Sequence, residues 1–315
     1  MSDNPSRLEL LPNELLIDIF EYFHPRDLFR AFYNLNIRFN ILLQSLHHLS
    51  LTVSTNNCVE DEFIPYIRIL IINRAINIDL NRFNQIRSLI LRYPTDKILA
   101  QLTGNILPHL EHLCVNHMHN SVLNLIPDLC DKIFSNNFPN LKSCYLLEWW
   151  TIIKIQGWIP SSSLRVLKVG KIDLFVYKII LSSCPNLYFL QLATITSSNT
   201  LFDIPQHINL KRLIIKTIAF VQPWEDDDVN SCLSYVPRLE HLSVHRADMI
   251  IIPKYDWLAS IIACHLPLLR QFNFYFHIYN SEIISKPNIE LHENFKTIHH
   301  NQYHSRFIVI RKELF

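Results

Sequence analysis

With 315 residues, 49% of them apolar and 18% charged, the chain has enough apolar material for an extended core, arranged as one long repetitive array or as two domains. A formal net charge of +1 supplies no field to hold nucleic acid or an anionic membrane, so neither is expected as a partner. The three glycines, Gly104, Gly157 and Gly170, lie too far apart for a phosphate-cradling loop, and neither G-x-S-x-G nor H-E-x-x-H occurs.

The opening "MSDNPSRLEL" lacks the basic start and apolar run of a signal peptide. Next comes a dense apolar block, "LLPNELLIDIFEYFHPRDLFRAFYNL". Pro12 suits the first position of a helix and Glu14 its positive end, with Leu15, Leu16, Ile19, Phe20 and Phe23 at helical intervals. His24 precedes Pro25 and ends that segment. Pro25 starts a second helix with Leu28, Phe29 and Phe32 as its apolar side. Asn36 caps a third, which carries Ile37, Ile41, Leu42 and Leu46. Helices this short cannot bury so many large side chains among themselves, so one side of the first helix must meet the rest of the chain or a second polypeptide.

The run "LPNELLIDIFEYFHPRDLFRAFYNLNIRFN" resembles the F-box: Leu-Pro-x-Glu-Leu-Leu-x-x-Ile-Phe, a Pro-x-Asp-Leu step and a third helix, over about residues 8 to 46. Phe23 stands where the family often has leucine, and "NLNIRFN" replaces the more usual Val-Ser-Lys-x-Trp kind of run. The resemblance implies an F-box at 6–48 that docks on the Skp-type adaptor, and through it a cullin, of SCF-type cullin–RING ubiquitin ligases. Leu11, Pro12, Leu15, Ile19, Phe20 and Leu28 would form or support that contact. Five or six such side chains give roughly 10 kcal/mol gross on burial. Association costs about 4–15 kcal/mol, so the whole three-helix surface must take part.

Behind this block the pattern L-x-x-L-x-L recurs: "LEHLCV" from Leu110, "LKSCYL" from Leu141, "LRVLKV" from Leu164, "LYFLQL" from Leu187, "LKRLII" from Leu210, "LEHLSV" from Leu239 and "LRQFNF" from Leu269. Weaker copies start at Ile67 and Ile86. The starts 164, 187 and 210 are 23 residues apart, with the others less evenly placed. A proline often stands two residues upstream, marking where a returning segment stops and a strand begins. Helical stretches lie between, among them "DKILAQLTGNIL", "SVLNLIPDLCDKIF", "DLFVYKIILSSC" and "KYDWLASIIACHL". The expected fold is therefore α/β. Over 60–315 it resembles a degenerate leucine-rich-repeat solenoid, with parallel strands on the concave face, helices on the convex face and a closing strand in "SRFIVIRKELF". An ordinary α/β domain with parallel strands is the rival. The position eight beyond each first leucine holds Met118, Trp149, Ile172, Ile195 or Ile218, so no asparagine ladder runs along the array.

Within each strand the leucines point inward and the alternate residues face the other way. That face gathers Lys168, Phe189, Arg212, Lys216, His241, His245 and Tyr275 and no Asp or Glu, which suits an acidic or phosphorylated segment of an unidentified client protein; solvated surface cations are the plainer alternative. His112, His117 and His119 have no carboxylate beside them to complete a metal site, and His47-His48 and His299-His300 diverge on a strand. "PWEDDDVN" is expected as a solvated loop leading into a helix, and Trp149, Trp150 and Trp158 as packing residues. Seven cysteines without C-x-x-C spacing fit a reducing compartment, cytoplasm or nucleus.

No nucleophile, acid pair or metal set assembles, so no enzyme and no cofactor is expected. The function implied is a non-catalytic substrate receptor of an SCF-type ubiquitin ligase, acting in the ubiquitin-conjugation pathway by protein–protein interaction. The alternative is a leucine-rich-repeat interaction scaffold that recruits no ligase.

Overall fold

Two prolines and an asparagine set where the N-terminal helices begin. The structure, a computed structural model, describes residues 7–46, 49–54, 61–73, 78–116, 126–146, 158–196, 203–216, 226–248, 256–278 and 304–311. A 3-10 turn at Arg7–Leu10 leads into α1 (Asn13–Glu21). Pro12 stands at the N-cap, with ψ 152, rather than inside the first turn. There its carbonyl accepts the first helical bond, from the Leu16 N–H at 3.1 Å, and its missing N–H costs nothing. Pro25 opens α2 (Pro25–Phe32), with His24 extended before it and its Nδ1 accepting from the Arg26 N–H at 3.3 Å. Asn36 caps α3 (Ile37–Ser45) by accepting from the Phe39 N–H at 2.9 Å.

The chain divides into two compact units, residues 1–122 and 123–315. In the first, α1 to α3 are followed by four parallel strands paired in chain order: β1 (Ser50–Val53), β2 (Ile69–Asn73), β3 (Ser88–Arg92) and β4 (His112–Asn116), with the short helix α4 (Asp96–Ala100) between the last two. The second unit contains α5 (Ile126–Phe134), β5 (Ser143–Leu146), β6 (Val166–Val169), β7 (Lys171–Asp173), α6 (Leu174–Ser183), β8 (Phe189–Leu192) and β9 (Thr194–Thr196). It continues with β10 (Arg212–Lys216), α7 (Asp226–Ser234), β11 (His241–Asp248), α8 (Asp256–His265), β12 (Gln271–Ile278) and β13 (His304–Arg311). Here β5, β6, β8, β10, β11, β12 and β13 pair in that order, all parallel, while β7 and β9 form a separate parallel pair. The fold is α/β, with parallel strands and interspersed helices, and among the described strands of either unit the order does not reverse to make a switch point.

The recurring hexapeptide explains this regularity. Every copy yields a strand that starts two residues after its first apolar residue, from β2 after Ile67 to β12 after Leu269. β5, β6, β8 and β10 begin at 143, 166, 189 and 212, so the even 23-residue spacing includes the copy at Leu141, one more than the even run read in the sequence. Where a proline precedes the copy, it occupies the second position of the turn that enters the strand. Those turns are closed by hydrogen bonds from Leu110 to Leu107, Leu141 to Phe138, Leu187 to Cys184, Leu239 to Val236 and Leu269 to Leu266. Just beyond, one carbonyl takes two N–H groups from the following strand. Lys142 O accepts from Arg165 and Val166, Arg165 O from Tyr188 and Phe189, Tyr188 O from Lys211 and Arg212, and Lys211 O from Glu240 and His241, at 2.8–3.1 Å.

Three positions of each copy go to the core: Leu187, Leu190 and Leu192, or Leu210, Leu213 and Ile215, are at most 1% exposed. The closing strand expected near the C-terminus is β13, paired with β12. The acidic run expected as a loop leading into a helix enters α7 at Asp226. β1 and the β7–β9 pair lie outside the hexapeptide pattern. Ile172, at the position where an asparagine ladder would run, is 2% exposed and in register with Ile195. Among the described residues no helix is long and apolar enough to cross a membrane.

Candidate functional site

Leu15 and Leu16 are neighbours in sequence and about 100° apart around α1, and only Leu16 is buried. Leu16 and Phe20 turn inward with Leu28, all at most 1% exposed. The Phe20 ring is 4.7 Å from that of Phe32 and 6.1 Å from that of Phe39, which makes an aromatic core for the three helices. The outer side of α1 carries Leu15, 48% exposed, with Pro12 exposed and Leu11 and Ile19 half-buried. The structure thus divides the six residues expected at an adaptor contact. Leu11, Pro12, Leu15 and Ile19 reach the surface, whereas Phe20 and Leu28 shape it from beneath.

Sequence reasoning missed the rest of this surface. Ile37 and Ile41, one turn apart on α3, are 80% and 60% exposed, and Leu10, Tyr22 and Leu35 are also exposed. The signal was present: Phe39, Leu42 and Leu43 already supply a complete buried face of α3, so the pair at 37 and 41 is surplus. Arg38 joins α3 to α1. Its Nε donates to Asn13 Oδ1 at 2.8 Å, its Nη1 to Glu9 O and its Nη2 to Leu11 O, while Asn36 Nδ2 donates to Glu9 Oε1 at 2.9 Å. This clamp holds Ile37 beside the end of α1 that carries Leu11 and Pro12. A cleft of about 510 Å³ opens elsewhere in the unit, lined by Ile17, Phe20, Phe23, Pro25, Leu46 and Leu49 with Glu21 as its charged member.

The second surface lies on the strands of the other unit. Alternation puts Tyr145, Lys168, Phe189, Arg212, Lys216, His241, His245 and Tyr275 on the side away from the buried leucines. Lys168 Nζ lies 4.3 Å from the Tyr145 ring centre and 5.9 Å from that of Phe189, and the Arg212 guanidinium lies 5.4 Å from the Phe189 ring on the next strand. His245 stacks on Tyr275 at 4.1 Å and 10°, and register places Lys216 directly opposite His245. His241 Nδ1 is 3.2 Å from Gln271 Oε1, beside a polar track in which Gln271 Nε2 donates to Asn273 Oδ1 and Asn273 Nδ2 to Ser243 Oγ. All seven residues expected at the client contact are on this face, together with Tyr145, which sequence reasoning left out of the site.

His112 is exposed on β4, while His117, His119, His47, His48, His299, His300, Trp149 and Trp150 lie outside the described residues. Trp158 packs as expected, stacked 4.4 Å from Phe134 with its Nε1 donating to Asp131 Oδ1 at 2.8 Å. Burial pushes the Cys184 thiol up to about 12 and raises that of Cys130 as well, so both are held as unreactive thiols. Among the described residues no three His, Cys, Asp or Glu side chains gather as a metal site. Comparison of the chain with family models and with curated proteins gives no match.

Proposed function

We propose that this protein is a non-catalytic substrate-recognition subunit of an SCF-type cullin–RING ubiquitin ligase, working in the cytoplasm or nucleus. Residues 6–48 serve as an F-box that docks on a Skp-type adaptor. Residues 60–315 serve as a leucine-rich-repeat solenoid whose concave strand face holds a client while other subunits transfer ubiquitin. The observation that carries this reading is the two-sided α1. Leu16 and Phe20 complete the helix core, and Leu11, Pro12, Leu15 and Ile19 are left over on the outside, joined by Ile37 across the Arg38 clamp. Surplus apolar surface of this kind is what a protein contact would cover. Support for the solenoid comes from parallel strands that pair in chain order and repeat every 23 residues over four copies.

Co-expression with a Skp-type adaptor tests the proposal. The chain should co-purify with the adaptor, and Leu15→Asp with Ile19→Asp should abolish this while the circular dichroism spectrum stays that of the unaltered chain. Failure of the unaltered chain to co-purify would leave an interaction scaffold uncoupled from a ligase.

A further inference from the structure

We infer that the client is held through an extended, carboxylate-rich segment bound by the aromatic-braced cations of β6 and β10. The inference rests on the client-binding half of the receptor reading and gives that surface a ligand chemistry. Across four neighbouring strands, rings and cations alternate: Tyr145 on β5, Lys168 on β6, Phe189 on β8 and Arg212 on β10. Each cation lies against a ring rather than an acid, Lys168 at 4.3 Å from Tyr145 and Arg212 at 5.4 Å from Phe189. Among the described residues neither cation, nor Lys216, has a carboxylate partner. A ring face positions a cation without neutralising it, so each charge is fixed in place at low entropic cost and still seeks an anion.

Strand order and register separate the two positive charges. β6 and β10 flank β8 and are therefore about 10 Å apart at ordinary strand spacing. Lys168 is in register with Gln191 and Ile214, whereas Arg212 is in register with Phe189, two positions earlier along the strands. The two side chains thus start from different strands and different register rows, and both border the Phe189 ring, at 5.9 and 5.4 Å. Successive carboxylates of one extended segment crossing the strands can meet the two cations in turn. Lys216, in register with His245 and through it with Tyr275, adds a further cation beside two rings along β10 to β12.

The test uses the full chain and fluorescence anisotropy with labelled peptides: Asp at every third position in a Pro/Ser background, the same peptide with Asn for Asp, and one with a single phosphoserine and no Asp. The Asp peptide should bind with an affinity that falls as salt is raised, and the Asn peptide should not bind. Lys168→Gln and Arg212→Gln should each weaken binding by about tenfold or more. Arg212→Lys should retain part of the affinity. Lys211→Gln, whose parent amine pairs with Glu240 at 3.1 Å at the strand entrance, should leave binding unchanged. Equal binding of the Asn peptide, tighter binding of the phosphoserine peptide, or full affinity in the Lys168→Gln/Arg212→Gln double variant would overturn the inference. Adaptor co-purification is scored separately. Peptide failure with adaptor binding intact sinks only this inference, and the reverse sinks only the ligase coupling.

Discussion

His207 shows how one side chain can replace a main-chain rule. Most strand entrances are closed by an N–H bonded to a carbonyl three residues back, often around a proline, but "HINL" has no proline and the Leu210 N–H donates instead to His207 Nδ1 at 3.0 Å. Since Nδ1 accepts, Nε2 carries the hydrogen and donates to Cys184 O at 2.9 Å. The residue is 6% exposed, and burial lowers its pKa despite the bond to Cys184. A proton on Nδ1 would strip Leu210 of its acceptor. The unfolded chain therefore takes up a proton that the folded chain resists. His207 contributes full stability above the ordinary imidazole value of about 6.5 and loses it as pH falls below that towards the lowered folded value. Urea unfolding at about pH 7.5 and about pH 5.5 should show this loss, and His207→Gln should shrink the difference between the two conditions. Asp203, exposed, and Glu240, half-buried, are held below their usual range by hydrogen bonds from Tyr235 and Lys211, so their contributions disappear only at more acidic pH. None of this was legible in the sequence beyond the missing proline, because a turn histidine and a turn-closing histidine are spelled alike.

At the level of elements, legibility followed repetition. Each L-x-x-L-x-L became a strand because its three apolar positions are buried together, and a one-residue slip would turn them all outward. Leu190→Ala on β8 should accordingly cost about 2–5 kcal/mol in urea unfolding, whereas Lys216→Ala, exposed on β10, should leave the unfolding midpoint close to that of the parent. β1 was missed because "LSLTV" supplies the later apolar positions without the opening one, and β7 and β9 because three-residue strands carry no period. The outer face of α3 was missed for a different reason. An apolar residue in a short helix reads as core until the core is seen to be full, and here Phe39, Leu42 and Leu43 fill it without Ile37 or Ile41. The Arg38 clamp was hidden because arginine bonding to main-chain oxygens leaves no mark on spacing.

For the molecule as a whole, the two surfaces lie in different compact units, the helical patch within 1–122 and the cationic strand face within 123–315. Their substitutions should therefore separate cleanly. Leu15→Asp/Ile19→Asp should lose adaptor co-purification and keep acidic-peptide affinity, and Lys168→Gln/Arg212→Gln should do the opposite, both measured on the same preparations. Mutual loss would mean that one change had unfolded the chain, which circular dichroism would reveal. The doubly bonded carbonyl at each strand entrance has a broader consequence. Strand starts drift from 23 to 30 residues apart between β5 and β12, yet the register is kept, because each strand is moored at its entrance and not by the length of its return path. Insertions can thus accumulate between strands without shifting their register, and single exposed strand positions can be relettered while the scaffold stays untouched.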